Sequence, residues 1–264
     1  MTTRAPIITL TTDFGYKDHY VAAMKAVILG INPEARIIDI SHGIPPQDIM
    51  AGAWVLRNSA YLFPAGTIHV AVIDPGVGSD RRPVAVRMNN HLFVGPDNGL
   101  FSLLSGADAA EVYELTDSAY WRGTQSNTFH GRDLFSPVAA HLSLGTGLSE
   151  VGVPSRELLT YRWATAIVDE EGIQGWIVHI DSYGNLITNI PGELITAGLY
   201  KNLKIYVGTH ILSRVSRTFS DVSPGEAAAV TGSSGMIEIV INRGDAAEML
   251  GVQKGAPVSV IYQK

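Results

Sequence analysis

Three stretches of this sequence end an apolar run on residues that can do chemistry. "IITLTTDFG" delivers Asp13, "RIIDISHG" delivers Ser41 and His42, and "VAVIDPGVGSDRR" delivers Asp74 with Arg81 and Arg82 behind it. A carboxylate at the end of a buried strand can accept two hydrogen bonds from a vicinal diol, the usual way a ribose is held. It can equally cap the following helix or close an Asx-turn, so Asp13 alone leaves both uses open. Asp74 precedes Pro75, Gly76 and Gly78, and the glycines let backbone approach a ligand closely. Arg81 or Arg82 is within reach to pair with Asp74. The plainer alternative is a turn carrying a surface ion pair of little energetic value.

Further along, "TFHGRD" sets His130 in a glycine-containing loop beside Arg132 and Asp133. Such a histidine can act as base, polariser or metal ligand, or be merely structural. The other histidines read as incidental. "HIDSYGNLITNI" interrupts a strand with Asp181, Tyr183 and Asn185. These could salt-bridge an ammonium, stack on a flat base and hydrogen-bond an amide-like base edge, or simply form a tight turn. "TGSSGMIEIVINRGDAA" places Ser233 and Ser234 beside glycines, where backbone N–H groups could cradle a carboxylate. Together these groups point to a nucleoside-sized ligand held by aspartates. No GxGxxG or Walker loop is present.

The elements that must position these groups alternate in the first third: strand, helix, strand, helix, strand. Val21, Met24, Ile28 and Ile31 recur at helical spacing. A helix is expected from about Lys17 or Asp18, with Asp18 able to cap it. A second helix is expected over "PPQDIMAGAWVLRNSAYLF", with its prolines in the first turn. This order implies a parallel, Rossmann-like sheet, in which ligands bind beyond the carboxyl ends of the strands. A hairpin turning at Asn89-Asn90 follows, then a turn and short helix over "GPDNGLFSLL". From about residue 166 the pattern becomes strand and turn, as in a compact antiparallel barrel or sandwich. The expected organisation is an α/β domain over 1–165 and a smaller β-barrel-like domain over 166–264.

Composition supports a packed, soluble chain. Of 264 residues, 46% are hydrophobic and 17% charged, enough for a sizeable core. The net charge of −6, without Lys/Arg clusters, speaks against nucleic acid. The absence of cysteine excludes disulfides, thiolate nucleophiles and Cys-ligated zinc, and fits a reducing compartment. No signal pattern or 18-residue apolar run is visible, so the expected location is cytoplasmic, with no membrane partner.

Taken in order, "TTDFG", "DISHGIPPQDI", "VIDPGVGSDRRPVAV", "FVGPDNGL", "TFHGRDLFSPVAAHL", "IDSYGNLITNI" and "INRGDAAEMLG" resemble the S-adenosyl-L-methionine (SAM) hydroxide adenosyltransferases, the SAM hydrolase family related to fluorinase and chlorinase. The resemblance implies cleavage of SAM by water into adenosine and L-methionine, without metal or other cofactor. It also implies a homotrimer with active sites at subunit interfaces. It assigns Asp74, Arg81 and His130 to catalysis and Asp13 to the ribose. It assigns Asp181 to the methionine ammonium, Tyr183 and Asn185 to the base, and Ser233 to the methionine end. The last contacts fall near Arg243 to Ala247, with Ala246 among the binding residues. The halogenating relatives carry a tyrosine and small hydroxylated residues where this chain has Asp74 to Gly78, and an extra loop. That departure favours water as nucleophile. Three rivals stay open: a metal hydrolase using Asp13, Asp74, His130 and Asp133, a non-catalytic adenosyl sensor, and a halogenase.

Overall fold

A computed structural model describes residues 5–104, 110–161, 165–195 and 201–263. The chain divides into two compact units, Met1–Tyr161 and Arg162–Lys264.

The first unit runs β1 (Ile7–Thr12), α1 (Tyr20–Ile31), β2 (Arg36–Ser41), α2 (Ile49–Ser59) and β3 (Ile68–Val72). It continues with β4 (Pro83–Met88), β5 (His91–Pro96), β6 (Glu111–Leu115), α3 (Ser136–Ser143), α4 (Leu148–Val151) and β7 (Gly152–Pro154). The sheet order is β2-β1-β3-β5-β4-β6-β7. The first four strands are parallel, and the rest join antiparallel. β1 and β3 are buried along nearly their whole length, with Ile, Leu, Val and Thr side chains, because both sheet faces are covered. Ile8, Leu10, Met24, Ile28 and Val138 pack on one side, and Leu56, Ile73, Val86, Phe93 and Leu100 on the other. The Asn89-Asn90 turn has both residues at positive φ, 46° and 62°, as a two-residue type I′ hairpin requires.

Three local expectations are corrected. Helix α1 starts at Tyr20, and His19 in the cap position makes no side-chain bond, so neither Asp13 nor Asp18 caps it. Helix α2 is capped by Asp48, which accepts the Ala51 N–H at 3.0 Å, leaving Pro45 and Pro46 in the preceding loop. The stretch after β5 forms turns through Leu104 rather than a helix. There the Asn98 side chain donates to the Ile73 carbonyl and accepts the Leu100 N–H, a local alternative to helical bonding.

The second unit is a barrel-like, largely antiparallel sheet. Its strands are β8 (Ile167–Val168), β9 (Gly172–Ile180), β10 (Leu186–Pro191), β11 (Lys201–Val207) and β12 (His210–Leu212). β13 (Val215–Ser216), β14 (Ala227–Thr231), β15 (Met236–Ile241), the short helix α5 (Ala246–Leu250) and β16 (Pro257–Gln263) complete it. The order is β12-β11-β16-β9-β10-β15-β14-β13, with β8 on β9. Ile173, Ile177, Ile190, Ile205, Ile239 and Val258 fill its interior.

A polar chain is sealed inside the first sheet. Thr9 Oγ1 meets His69 Nδ1 at 2.7 Å, and His69 Nε2 meets His91 Nδ1 at 3.1 Å. Both rings are buried, and His69 stacks on Phe93. Burial and the neighbouring His91 push the His69 pKa down to about 3. Its folded pKa therefore lies below the unfolded value near 6.5, so the unfolded chain binds the extra proton. Stability should hold above pH 6.5 and decline as the pH falls from there toward 3. One excess proton gives a slope of about 1.4 kcal/mol per pH unit. Urea unfolding across that range should show the decline in the parent and a flatter profile in His69→Gln.

Candidate active site

Asp74 lies two residues past the end of β3, and Arg81 folds back onto it across the turns at Val77 and Ser79. Arg81 Nε contacts both carboxylate oxygens at 3.1 and 3.0 Å, and Nη2 donates to Oδ2 at 2.6 Å. The side chains are only 5% and 9% exposed. The same Nη2 lies 2.7 Å from His130 Nδ1. A guanidinium has only protons to give, so Nδ1 accepts and the imidazole carries its proton on Nε2. Burial, and then the Arg81 charge, hold the His130 pKa below its ordinary value. Arg81 also rests over the Phe135 ring, 5.2 Å from its centroid. Arg82 turns the other way, onto Asp97, Ser155 and the Glu157 carbonyl.

His130 stands at the start of a single π-helical turn, Gly131–Phe135, that leads into α3. Such turns recur at functional sites. The loop before it is clamped by Asp133, whose carboxylate takes Arg132 Nε at 2.6 Å, Arg132 Nη2 at 2.8 Å and the Ser126 N–H at 2.8 Å. Burial alone would raise the Asp133 pKa; the bonds from Arg132 and Ser126 outweigh it and hold the group below its ordinary value. Both its oxygens are engaged, so Asp133 is not presented to a metal. Among the described residues no three His, Asp or Glu side chains gather as metal ligands would.

Asp74 and His130 face a cavity of about 40 Å³ whose other walls include Phe14, Val77, Phe129 and Gly131. About 10–15 Å³ holds one water, so it admits one to a few. An open cleft of about 370 Å³ shares Phe14, Thr128 and Phe129 with it and adds Tyr20, Ser126 and Arg132. Two glycines keep the small cavity as it is. Gly78 has φ +79°, and a Cβ there would stand 2.6 Å from the Asn127 carbonyl oxygen; a Cβ on Gly131 would press on Met24 and Phe14 at 3.3 Å.

Asp13 follows β1, the strand between β2 and β3. Its Oδ2 accepts the N–H of Gln47 at 2.7 Å, a residue held at φ 66°. Oδ1 has no protein partner among the described residues. Asp13 is thus a brace for a strained turn, a role its local sequence does not suggest.

In the second unit, Asp181 Oδ1 accepts the N–H groups of Tyr183 and Asn185 at 2.9 Å each, and Oδ2 accepts Asn185 Nδ2 at 2.8 Å. Tyr183 is 78% exposed and Asn185 is buried. Gly184, at φ +81°, lies against the Asp245 carboxylate that caps α5, where any Cβ would clash. Ser233 is exposed on the turn between β14 and β15. Ala246 is wholly buried in the unit's core, backbone included. Glu238 was missed in the sequence. Burial, and then the nearby Asp181 charge, raise its pKa, since both disfavour the charged form of a carboxyl group. The signal was an acid inside the strand "MIEIVI".

Residues 8–152 match the model of the SAM hydroxide adenosyltransferase N-terminal domain, and residues 175–259 match that of the C-terminal domain. The chain belongs to the SAM hydroxide adenosyltransferase family. It is 39% identical to a (R)-S-adenosyl-L-methionine hydrolase of Salinispora arenicola over 97% of both chains. It is 27% identical to a fluorinase of Nocardia brasiliensis, again over 97% of both. A solved structure of an uncharacterized conserved protein from Thermotoga maritima matches at 34% identity with a TM-score of 0.88, covering 96% of this chain and 99% of that one.

In this family member the Asp74–Arg81 pair is buried enough for its loss to register in stability. Arg81→Met strands a carboxylate away from water and should cost about 3–5 kcal/mol. The double variant with Asp74→Asn should recover a substantial part. Guanidinium denaturation of the parent, single and double variants measures both.

Proposed function

We propose that this chain hydrolyses S-adenosyl-L-methionine to adenosine and L-methionine, with water attacking the ribose C5′ in line with the departing sulfur. The observation that carries the reading is the water-sized cavity walled by Asp74 and His130, with Arg81 joining the two. The leaving group is a neutral thioether expelled from a sulfonium, so it needs no proton. One proton leaves the water as the C–O bond forms and passes out to bulk solvent, so that SAM and water give adenosine, L-methionine and H⁺.

Each residue then has a bounded task. Arg81 offers positive charge to the developing hydroxide. Asp74 already accepts three contacts from Arg81. It holds the guanidinium and orients the water rather than removing its proton outright. His130 is neutral and donates through Nε2. Asp13 holds the ribose diol with its free oxygen, which fixes C5′ against the water. Asp181 and Glu238 receive the methionine ammonium, Tyr183 and Asn185 the base, and Ser233, with Ala246 nearby, the methionine end. No metal or cofactor takes part. The active species is a homotrimer in which these second-unit groups come from a neighbouring subunit, and it works in the cytoplasm.

The decisive experiment is incubation with SAM in oxygen-labelled water, with and without chloride. Label should appear at the adenosine 5′-oxygen, chloride should yield no 5′-chloro-5′-deoxyadenosine, and EDTA should leave the rate unchanged. Arg81→Ala should lower kcat about 100-fold or more; an unchanged kcat would remove its role. Recovery of intact SAM after long incubation would favour a sensor.

Because the His130 pKa is lowered, the imidazole stays neutral through pH 7. The kcat/KM profile should be flat from pH 8 to about 6.5 and fall only below that, as protonation of Nδ1 displaces Arg81. In His130→Gln the acid limb should move or vanish.

A further inference from the structure

Besides the Gln47 N–H on Asp13 and the Phe14 ring against Tyr20 and Phe129, the loop that carries Asp13 is held from the end of β2. The Gly15 N–H donates to the His42 carbonyl at 2.8 Å, and the Phe14 N–H donates to Thr12 Oγ1 at 3.2 Å. The Tyr16 hydroxyl donates to Asp39 at 3.1 Å, and its ring meets the His42 ring edge-on at 5.0 Å. Gly15 and Tyr16 are thus both tied to the segment 39–42, at the end of β2.

Beneath the loop runs a buried polar chain. Thr12 Oγ1 lies 2.7 Å from His42 Nδ1. Thr12 also accepts the Phe14 N–H; with the Asp39 carboxylate beside Nε2, the tautomer that carries its proton on Nε2 and accepts from Thr12 at Nδ1 suits both neighbours. Nε2 stands 3.1 Å from Asp39 Oδ1, an electrostatic contact rather than a well-aligned hydrogen bond. Asp39 Oδ2 is held by Lys25 at 2.7 Å. Thr12 and His42 are 0% and 1% exposed. Burying an imidazole between a hydroxyl and a carboxylate carries a desolvation cost that apolar residues of similar volume would avoid. What the chain delivers in return is orientation: it fixes the last residue of β1, the one immediately before Asp13.

We propose that Thr12, His42 and Asp39 are positioning residues for Asp13, setting the loop so that the free carboxylate oxygen is aimed at a ribose hydroxyl. None of them touches substrate. The proposal rests on the reading of Asp13 as the ribose group, and it extends that reading to three residues outside the Asp74–Arg81–His130 set.

The test uses the full chain and two nucleosides, adenosine and 2′,3′-dideoxyadenosine, by calorimetry, beside SAM hydrolysis kinetics. The parent should favour adenosine by about tenfold or more, the usual weight of a hydrogen bond to a charged group. His42→Ala should lose most of that preference, binding the dideoxy analogue as the parent does and adenosine about tenfold more weakly. Its kcat/KM for SAM should fall by at least a similar factor, with part of the loss in kcat because the ribose contact also fixes C5′ against the water. His42→Asn, which keeps a group facing Thr12, should recover much of the preference. Thr12→Val, nearly isosteric, gives the same readout should His42→Ala fail to fold. A change in fold stability alone would weaken both nucleosides equally, so the ratio isolates positioning. Folded His42→Ala or Thr12→Val proteins that keep the full preference would overturn the proposal. A parent that hydrolyses SAM yet shows no preference would overturn the ribose role of Asp13. A parent that neither turns over SAM nor binds adenosine would overturn the functional reading, and this proposal with it.

Discussion

A guanidinium can donate hydrogen bonds and cannot accept them, and the first unit's site is organised by that asymmetry at Arg81. One side chain holds the Asp74 carboxylate and fixes which nitrogen of His130 carries the proton. It also contributes to keeping that imidazole neutral, after burial itself. A lysine would supply the charge but not two directed contacts from a planar frame. The three groups are therefore one unit of chemistry, although they come from two loops 49 residues apart in sequence.

The sheet brings the rest to the same edge. Because β2, β1 and β3 are adjacent and parallel, the residues that follow them emerge side by side: His42, Asp13 and Asp74. Strand order thus does for these groups what no local motif can. The π-helical turn then adds His130 from across the fold, ahead of α3. Asp133 shows the supporting logic. It is spent on two arginines and a backbone N–H, so the loop in front of His130 has a fixed course.

What was legible in the sequence was local. The Asn89-Asn90 hairpin follows from turn chemistry confined to two residues. The alternation of strands and helices follows from periodicity, and a short glycine-rich turn brings Arg81 or Arg82 within reach of Asp74; that it is Arg81, with Arg82 on Asp97, is set by the fold. What was not legible depended on partners far along the chain. Asp13 offered a choice of cap or ligand group, yet its observed bond goes to Gln47, 34 residues on. His42 looked incidental because Thr12, 30 residues away, is what gives it meaning. Asp133 could be read as a metal ligand until Arg122 and Arg132 were seen on it. Glu238 is conspicuous only once Asp181 is known to lie near it.

The contact at Gly78 reaches beyond its own turn. With the Asn127 carbonyl oxygen 2.6 Å from where a Cβ on Gly78 would stand, the loop holding Asp74 and the loop leading to His130 approach backbone to backbone. A side chain at position 78 would have to push the two segments apart, so the shape of the small cavity depends on both of them, and a change that enlarged it at one would have to be accommodated at the other.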